Sequence, residues 1–81
     1  MQPEQIAKLI EAGLPGAVVS VDGDGTHFTA VVVSGEFAGK SILQQHRMVY
    51  AALGERMGTE IHALSMQTYT PEQWQDRQGV A

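Results

Sequence analysis

The chain has 81 residues, which suits one small domain with a modest hydrophobic core. Hydrophobic residues make up 43% and charged residues 17%, a balance that excludes a disordered tail, a collagen-like repeat and a coiled coil. The formal net charge is −4, with five Lys and Arg against nine Asp and Glu, which disfavours nucleic-acid binding but leaves a local basic patch open.

A helix and a hairpin are predicted from the first part of the chain. Pro3 to Gly13 has apolar residues at helical spacing, with proline in the first turn and glycine at the end. Ala17 to Val21 and His27 to Ser34 are rich in β-branched residues and predict two strands. Asp22-Gly23-Asp24-Gly25 between them is typical of a tight turn, so we expect an antiparallel hairpin. The acids of this turn are spaced like the start of a calcium loop, but the downstream glutamate of such a loop is missing.

A helix, a strand and a helix are predicted from the rest of the chain. Ser41 is a suitable cap for a helix that starts at Ile42, and Gly54 weakens the far end of that helix. Glu60 to Thr68 alternates as a third strand. Thr70-Pro71-Glu72-Gln73 carries a capping box and a first-turn proline, which predicts a helix start.

The element order is therefore α-β-β-α-β-α. Strands two and three are joined through a helix, so we expect them to be parallel. This gives an α+β fold in which a three-stranded mixed sheet is covered by helices. We expect Trp74 to anchor the last helix by packing into the core, and the chain from Gln78 onward to fray.

The sequence contains no cysteine, so the chain has no disulfide and no thiolate metal site of its own. Its longest apolar run, Ala30 to Val33, is far short of the roughly 20 residues that a membrane-spanning helix needs. No signal-peptide pattern opens the chain. We therefore expect one domain over residues 1–81 with no membrane association, located in the cytoplasm or, if the chain is a processed form, in an organelle matrix.

Three histidines, His27, His46 and His62, are the residues best able to bind a metal or to catalyse a reaction. No carboxylate lies at the HExxH spacing that builds a metal site within one helix. No motif marks a serine nucleophile beside a histidine, so we expect a protein that is not an enzyme. Taken singly, each histidine also fits a packed or solvated ring without a ligand.

A basic stretch interrupts the acidic chain. Between Phe37 and Gly54 there is no acid, whereas Lys40 and Arg47 are present together with His46. Gly39-Lys40-Ser41 lies at the predicted start of a helix, where backbone N–H groups and the helix dipole are able to bind an anion. The GxxxxGK[ST] spacing of a phosphate loop is absent. The same basic residues are also consistent with an ordinary solvent-exposed helix face that binds nothing.

Five segments, taken in chain order, resemble the BolA family. They are Thr26-His27-Phe28, Phe37-x-Gly39-Lys40-Ser41, Gln45-His46-Arg47-x-Val49-Tyr50, Ile61-His62-Ala63-Leu64-Ser65 and Thr70-Pro71-Glu72-Gln73-Trp74. The resemblance extends over residues 4–77, and the short hairpin turn is most similar to the IbaG branch. It implies a class II KH-like fold, in agreement with the element order above.

The resemblance also implies a function. Proteins similar to this one partner monothiol glutaredoxins of the CGFS type and share a bridging [2Fe-2S] cluster with them, in iron–sulfur trafficking, iron homeostasis and stress response. The glutaredoxin and glutathione supply sulfur ligands and the BolA-type protein supplies histidine, which is able to replace thiolate on iron. His62 is the implied main ligand. The second comes from the first hairpin loop, where His27 is the candidate and Asp24 a weaker oxygen donor.

The same resemblance suggests roles for the basic stretch. Lys40, His46 and Arg47 are expected to contact the partner or glutathione. Without a partner, the chain is expected to be a monomer or a weak homodimer. The alternative is a nucleic-acid-binding transcriptional regulator that uses the KH-like fold, although no GxxG loop is recognisable in the sequence.

Overall fold

A computed structural model describes residues 1–79 of the chain. The elements are α1 Pro3–Gly13, β1 Val18–Gly23, β2 His27–Val33, α2 Ile42–Leu53, β3 Ala63–Tyr69 and α3 Pro71–Gly79. Short 3-10 turns follow β2 and α2. The predicted fold class and element order are confirmed, and α1 has the predicted bounds.

The starts of the second and third helices are fixed by reciprocal side-chain caps. The Ser41 hydroxyl accepts the Gln44 backbone N–H at 3.2 Å, and the Gln44 side chain accepts the Ser41 N–H at 2.9 Å. Thr70 and Gln73 repeat the arrangement before α3. Each pair satisfies backbone donors that no helix partner reaches, which is why both helices begin where the sequence predicts.

The sheet has the strand order β1-β2-β3, with β2 in the centre. β1 and β2 are antiparallel, with Val18 opposite Val33 and Gly23 opposite Phe28. β2 and β3 are parallel, and the pairing begins at His27 and Ala63. The predicted hairpin and the predicted parallel pair are both confirmed.

The core lies between one face of the sheet and the two longer helices. Its fully buried large side chains are Phe37, Ile6, Ile10, Leu53, Ile61, Val32 and Val49. α1 packs on β1 and α2, and α2 packs on β3. The two helices approach closely, because a side chain at Gly13 would overlap Ala52.

The opposite face of the sheet is largely exposed, so the expectation of a sheet covered by helices holds for one face. Val18, Ser20, Thr29 and Ser65 are exposed on this side. The expected place of Trp74 in the core is wrong: the side chain is half-buried and packs on Tyr69, with ring centroids 5.3 Å apart. α3 follows β3 directly, so its first turns reach the last residue of the strand rather than the core.

The third strand begins later than predicted. The Arg56 carbonyl accepts the N–H groups of Thr59, Glu60 and Ile61, at 3.3, 3.0 and 2.9 Å. These bonds form a tight turn, so the predicted first residues of the strand are unable to join the sheet ladder. Ile61 is fully buried beneath this turn.

The hairpin strands and the chain end also differ from the prediction in their bounds. β1 continues to Gly23, because the predicted turn residues Asp22 and Gly23 pair with β2. Gln78 belongs to α3, and residues 80 and 81, where fraying was also expected, lie outside the described residues. None of the helices in residues 1–79 combines the length and apolar character needed to cross a membrane.

Candidate functional site

Two of the three histidines lie at the same end of the parallel strand pair. His27 is the first residue of β2 and pairs with Ala63, the first residue of β3. His62 directly precedes Ala63, and neighbouring strands are spaced about 4.8 Å apart. Both histidines are exposed. The fold therefore brings two accessible imidazoles to neighbouring backbone positions.

Asp24 fixes the backbone that carries the first of these histidines. Its Oδ1 accepts the N–H of Thr26 at 2.9 Å and the N–H of His27 at 2.8 Å. The Asp24 N–H in turn donates to the His27 carbonyl at 3.2 Å. We call Asp24, Thr26 and His27 the Asp24 turn.

These contacts lower the pKa of the Asp24 carboxyl. The His27 N–H contributes most, followed by the Thr26 N–H, and the His27 imidazole adds a smaller effect. Each stabilises the charged form of the acid. From its place in the sequence, Asp24 is expected to be a weaker oxygen ligand for a metal. In the structure, its carboxylate instead accepts hydrogen bonds from two backbone N–H groups.

This end of the sheet brings together few side chains that are able to bind a metal. Within residues 1–79, no three His, Cys, Asp or Glu side chains come together in a way that would hold a metal ion. His27 and His62 are able to offer two imidazole nitrogens. Two imidazoles are fewer than the three or four protein ligands of typical zinc sites.

The basic residues lie elsewhere, around the start of α2. Lys40 and Arg47 are exposed, one just before the helix and one within it. His46 is half-buried and lines a cavity of about 290 Å³. The other lining residues are Ile42, Met66, Gln67, Thr68 and Tyr69. The structure thus separates His46 from the other two histidines and groups it with the later half of β3.

A buried polar cluster supports this second region, and the sequence reasoning missed it. Gln45 is 4% exposed, and its Nε2 donates to the carbonyls of Phe37 at 3.2 Å and Lys40 at 3.0 Å. The Gln45 Oε1 accepts the Thr68 hydroxyl at 2.6 Å. We call these four residues the Gln45 bracket. The spacing of Gln45 from Val49 and Leu53 was the available signal, since all three lie on the buried face of α2.

Exposed apolar side chains on α2 were also missed. Among the described residues, the exposed large hydrophobic side chains are Val18, Ile42, Leu43 and Tyr50. Three of them are on α2, and Leu43 and Tyr50 flank Arg47 at spacings of four and three residues. Leu43 and Tyr50 lie off the buried stripe of Gln45, Val49 and Leu53, and this offset is a signal that the sequence contains. Ile42 keeps the spacing of the stripe but is the first residue of the helix.

Comparison with protein families identifies relatives of this chain. The model for BolA-like proteins matches residues 11–73. The human protein named BolA-like protein 1 is 52% identical over 54 residues, covering 67% of this chain and 39% of the human protein. The Escherichia coli K12 protein named DNA-binding transcriptional regulator BolA is 43% identical over 56 residues, covering 69% and 53%. The matched part of the chain thus spans well under two thirds of the length of either relative.

The fold has a close counterpart among solved structures. A bolA protein homologue from Coxiella burnetii superposes with a TM-score of 0.86 at 46% sequence identity. The superposition covers 93% of this chain and 97% of the Coxiella chain.

Proposed function

The chain belongs to the BolA-like family, and from that premise we propose that it is a non-enzymatic partner of a monothiol CGFS glutaredoxin that shares a bridging [2Fe-2S] cluster. His62 and His27 are the ligands that this chain contributes. The observation that supports the proposal is that His62 directly precedes Ala63, the backbone partner of His27, and that both histidines are exposed. The proposal extends to a cytoplasmic role in iron–sulfur trafficking, iron homeostasis and stress response.

The ligand set of this chain suits a shared cluster better than a resident one. The chain has no cysteine and brings only two imidazoles to this end of the sheet. Histidine pairs do replace cysteine pairs on one iron of a [2Fe-2S] cluster in Rieske centres. In the proposed complex, the glutaredoxin cysteine and the glutathione thiol supply the remaining ligands.

The Asp24 turn prepares His27 for this role. Its hydrogen bonds fix the His27 backbone in the absence of a partner. A ligand whose backbone is already ordered loses less conformational entropy on binding. Lys40, His46 and Arg47, further along the chain, are proposed to contact the partner or its glutathione.

The test is an anaerobic titration of this protein into a cluster-loaded CGFS glutaredoxin with glutathione, followed by visible circular dichroism. We expect the cluster spectrum to change and to saturate at a one-to-one ratio. His62→Ala should abolish the change and His27→Ala should weaken it, because each removes a ligand. Lys8→Ala is the control, since it truncates an exposed side chain on α1 that lies outside the proposed ligands and partner contacts. An unchanged spectrum with the unsubstituted protein would overturn the proposal.

A second candidate function is DNA binding. It is favoured by the name of the Escherichia coli relative, DNA-binding transcriptional regulator BolA, and by the exposed cations Lys40 and Arg47. The acidic balance of the chain opposes it, because phosphate contacts require Lys and Arg. If DNA binding is the function, Lys40→Glu with Arg47→Glu should abolish it and the affinity should fall steeply with salt. A salt-insensitive affinity would exclude the phosphate-contact mechanism.

A further inference from the structure

The exposed side of α2 combines features that occur together nowhere else in the described residues. Leu43 is 59% and Ile42 60% exposed, although each is a large aliphatic side chain. Tyr50 is 41% exposed, and Arg47 lies between Leu43 and Tyr50 on the same side of the helix. We call Ile42, Leu43, His46, Arg47 and Tyr50 the α2 face.

A cavity adjoins this face. It has a volume of about 290 Å³ and lies between the first turns of α2, at Ile42 and His46, and the later half of β3. Small-molecule sites usually have volumes of about 300–1,000 Å³, so this cavity is at the lower limit. Its size suits an inserted side chain better than a whole ligand. Apolar residues around a small cavity are typical of the centre of a protein–protein interface.

The positive charge around the α2 face indicates which kind of partner surface is complementary to it. No acid occurs between Phe37 and Gly54, while Lys40 and Arg47 are exposed there. The chain as a whole is acidic, with a net charge of −4. A surface that presents carboxylates around an apolar side chain is complementary to this region and is repelled by most of the remaining molecule.

A second copy of the chain and a nucleic acid fit this face less well. A symmetric dimer through α2 would bring the same cations of two copies together, because such an interface uses the same patch on both subunits. Nucleic-acid interfaces are more polar and much more positively charged than protein interfaces. Two fixed cations beside three exposed apolar side chains do not match that description.

We propose that the α2 face and its cavity are the docking surface for a protein partner that presents carboxylates around an apolar anchor. The inference rests on the proposed function for the identity of that partner, the glutaredoxin. It extends the partner contact proposed for His46 and Arg47 to the exposed apolar side chains of α2 and to the cavity, which are separate from His27 and His62. At about 3.3 Å per residue, the part of β3 that lines the cavity starts roughly 13 Å from His62. One partner of ordinary size is able to reach both places.

Docking at the α2 face requires no cluster, so the experiment uses cluster-free CGFS glutaredoxin and isothermal titration calorimetry. Ile42→Asp should weaken binding at least ten-fold, because it places a carboxylate in an interface that is already acidic on the partner's side. Arg47→Glu should weaken binding to a similar extent and should flatten its salt dependence.

The controls are substitutions of the same kind outside the face. Val18→Asp changes another exposed aliphatic residue, 68% exposed on β1, and Lys8→Glu reverses an exposed cation on α1. Both should leave the dissociation constant within two-fold of the unsubstituted protein. All four altered residues are exposed, and thermal unfolding of each variant checks that the fold is intact.

The possible results separate this inference from the proposed function. Equal affinity of all variants, or no binding of cluster-free glutaredoxin by the unsubstituted protein, would overturn docking at α2 even if the cluster spectrum changes in the titration described above. Binding that depends on Ile42 and Arg47 without any spectral change would support docking and overturn cluster sharing. Loss of duplex DNA binding in Arg47→Glu, with unchanged glutaredoxin affinity, would mark the face as a nucleic-acid surface and overturn the inference.

Discussion

Two polar clusters in this molecule use the same kinds of hydrogen bond in opposite surroundings. The Asp24 turn is exposed, and its carboxylate accepts two backbone N–H groups from the residues that follow it. The Gln45 bracket is buried, and its amide joins the loop before α2 to β3. Water is available to replace the first set of bonds but not the second.

The difference in burial between the two clusters determines what each contributes to the molecule. When a buried donor or acceptor loses its partner, the full cost of its desolvation appears in the free energy of unfolding. When an exposed one loses its partner, water substitutes and mainly the local geometry changes. We therefore expect the Gln45 bracket to govern stability, and the Asp24 turn to govern the position of His27.

The largest expected effect comes from Gln45→Leu. The substitution leaves the Thr68 hydroxyl without its acceptor and removes the amide from the carbonyls of Phe37 and Lys40. We expect the free energy of unfolding to fall by about 3 kcal/mol, measured by urea denaturation. Gln44→Leu is the matched control, because its side chain makes only an exposed capping contact, and it should cost less than about 1 kcal/mol.

A smaller effect is expected from Thr68→Val, which keeps the shape of the side chain and removes its hydroxyl. The Gln45 Oε1 then loses its donor, at a cost of about 1 kcal/mol in the free energy of unfolding. The double variant with Gln45→Leu should cost less than the sum of the two single variants, because both remove the same bond. Strict additivity in this cycle would show that the two side chains are not coupled.

The smallest effect on stability is expected from Asp24→Ala, and it should depend on pH. The folded-state pKa of this carboxyl is lowered, so the charged form stabilises the fold at pH values above its ordinary pKa. That contribution is lost as the pH falls through the folded-state pKa. The difference in thermal stability between Asp24→Ala and the unsubstituted protein should therefore narrow in acid, to what the neutral carboxyl oxygen still contributes as an acceptor.

Asp24→Asn sharpens the test, because it keeps an oxygen that accepts the N–H groups of Thr26 and His27 but carries no charge. Its difference from Asp24→Ala reports the hydrogen bonds alone and should be independent of pH in acid. Amide chemical shifts of Thr26 and His27 should move more in the Ala variant than in the Asn variant. Identical shifts in both would contradict a role of Asp24 in fixing the turn.

Local signals explain which parts of the fold were predictable from the sequence. The caps at Ser41 and Thr70 and the proline and glycine at the ends of α1 act within a few residues, so helix positions followed directly from the sequence. The start of β3 was misplaced because a turn closed on the Arg56 carbonyl leaves little trace in a hydrophobic pattern. The burial of Trp74 was predicted wrongly because its surroundings depend on the direction of α3 relative to the sheet, which no local pattern gives.

The candidate sites were predictable only in part, for the same reason. His27, His46 and His62 are visible as residue types, but their grouping depends on the register between β2 and β3. No local pattern gives that register. The exposure of Ile42 and Leu43 likewise depends on where the rest of the chain leaves α2 uncovered.

The parallel pairing of β2 and β3 also has a consequence for the order of folding. The hairpin of β1 and β2 joins neighbours in sequence, whereas His27 and Ala63 are separated by the whole segment that contains α2. Contacts between residues that are distant in sequence cost more loop-closure entropy and tend to slow folding. A nascent or partly unfolded chain with only the hairpin formed would carry His27 without His62. We therefore expect His27 and His62 to reach the same end of the sheet late in folding, when β3 joins β2.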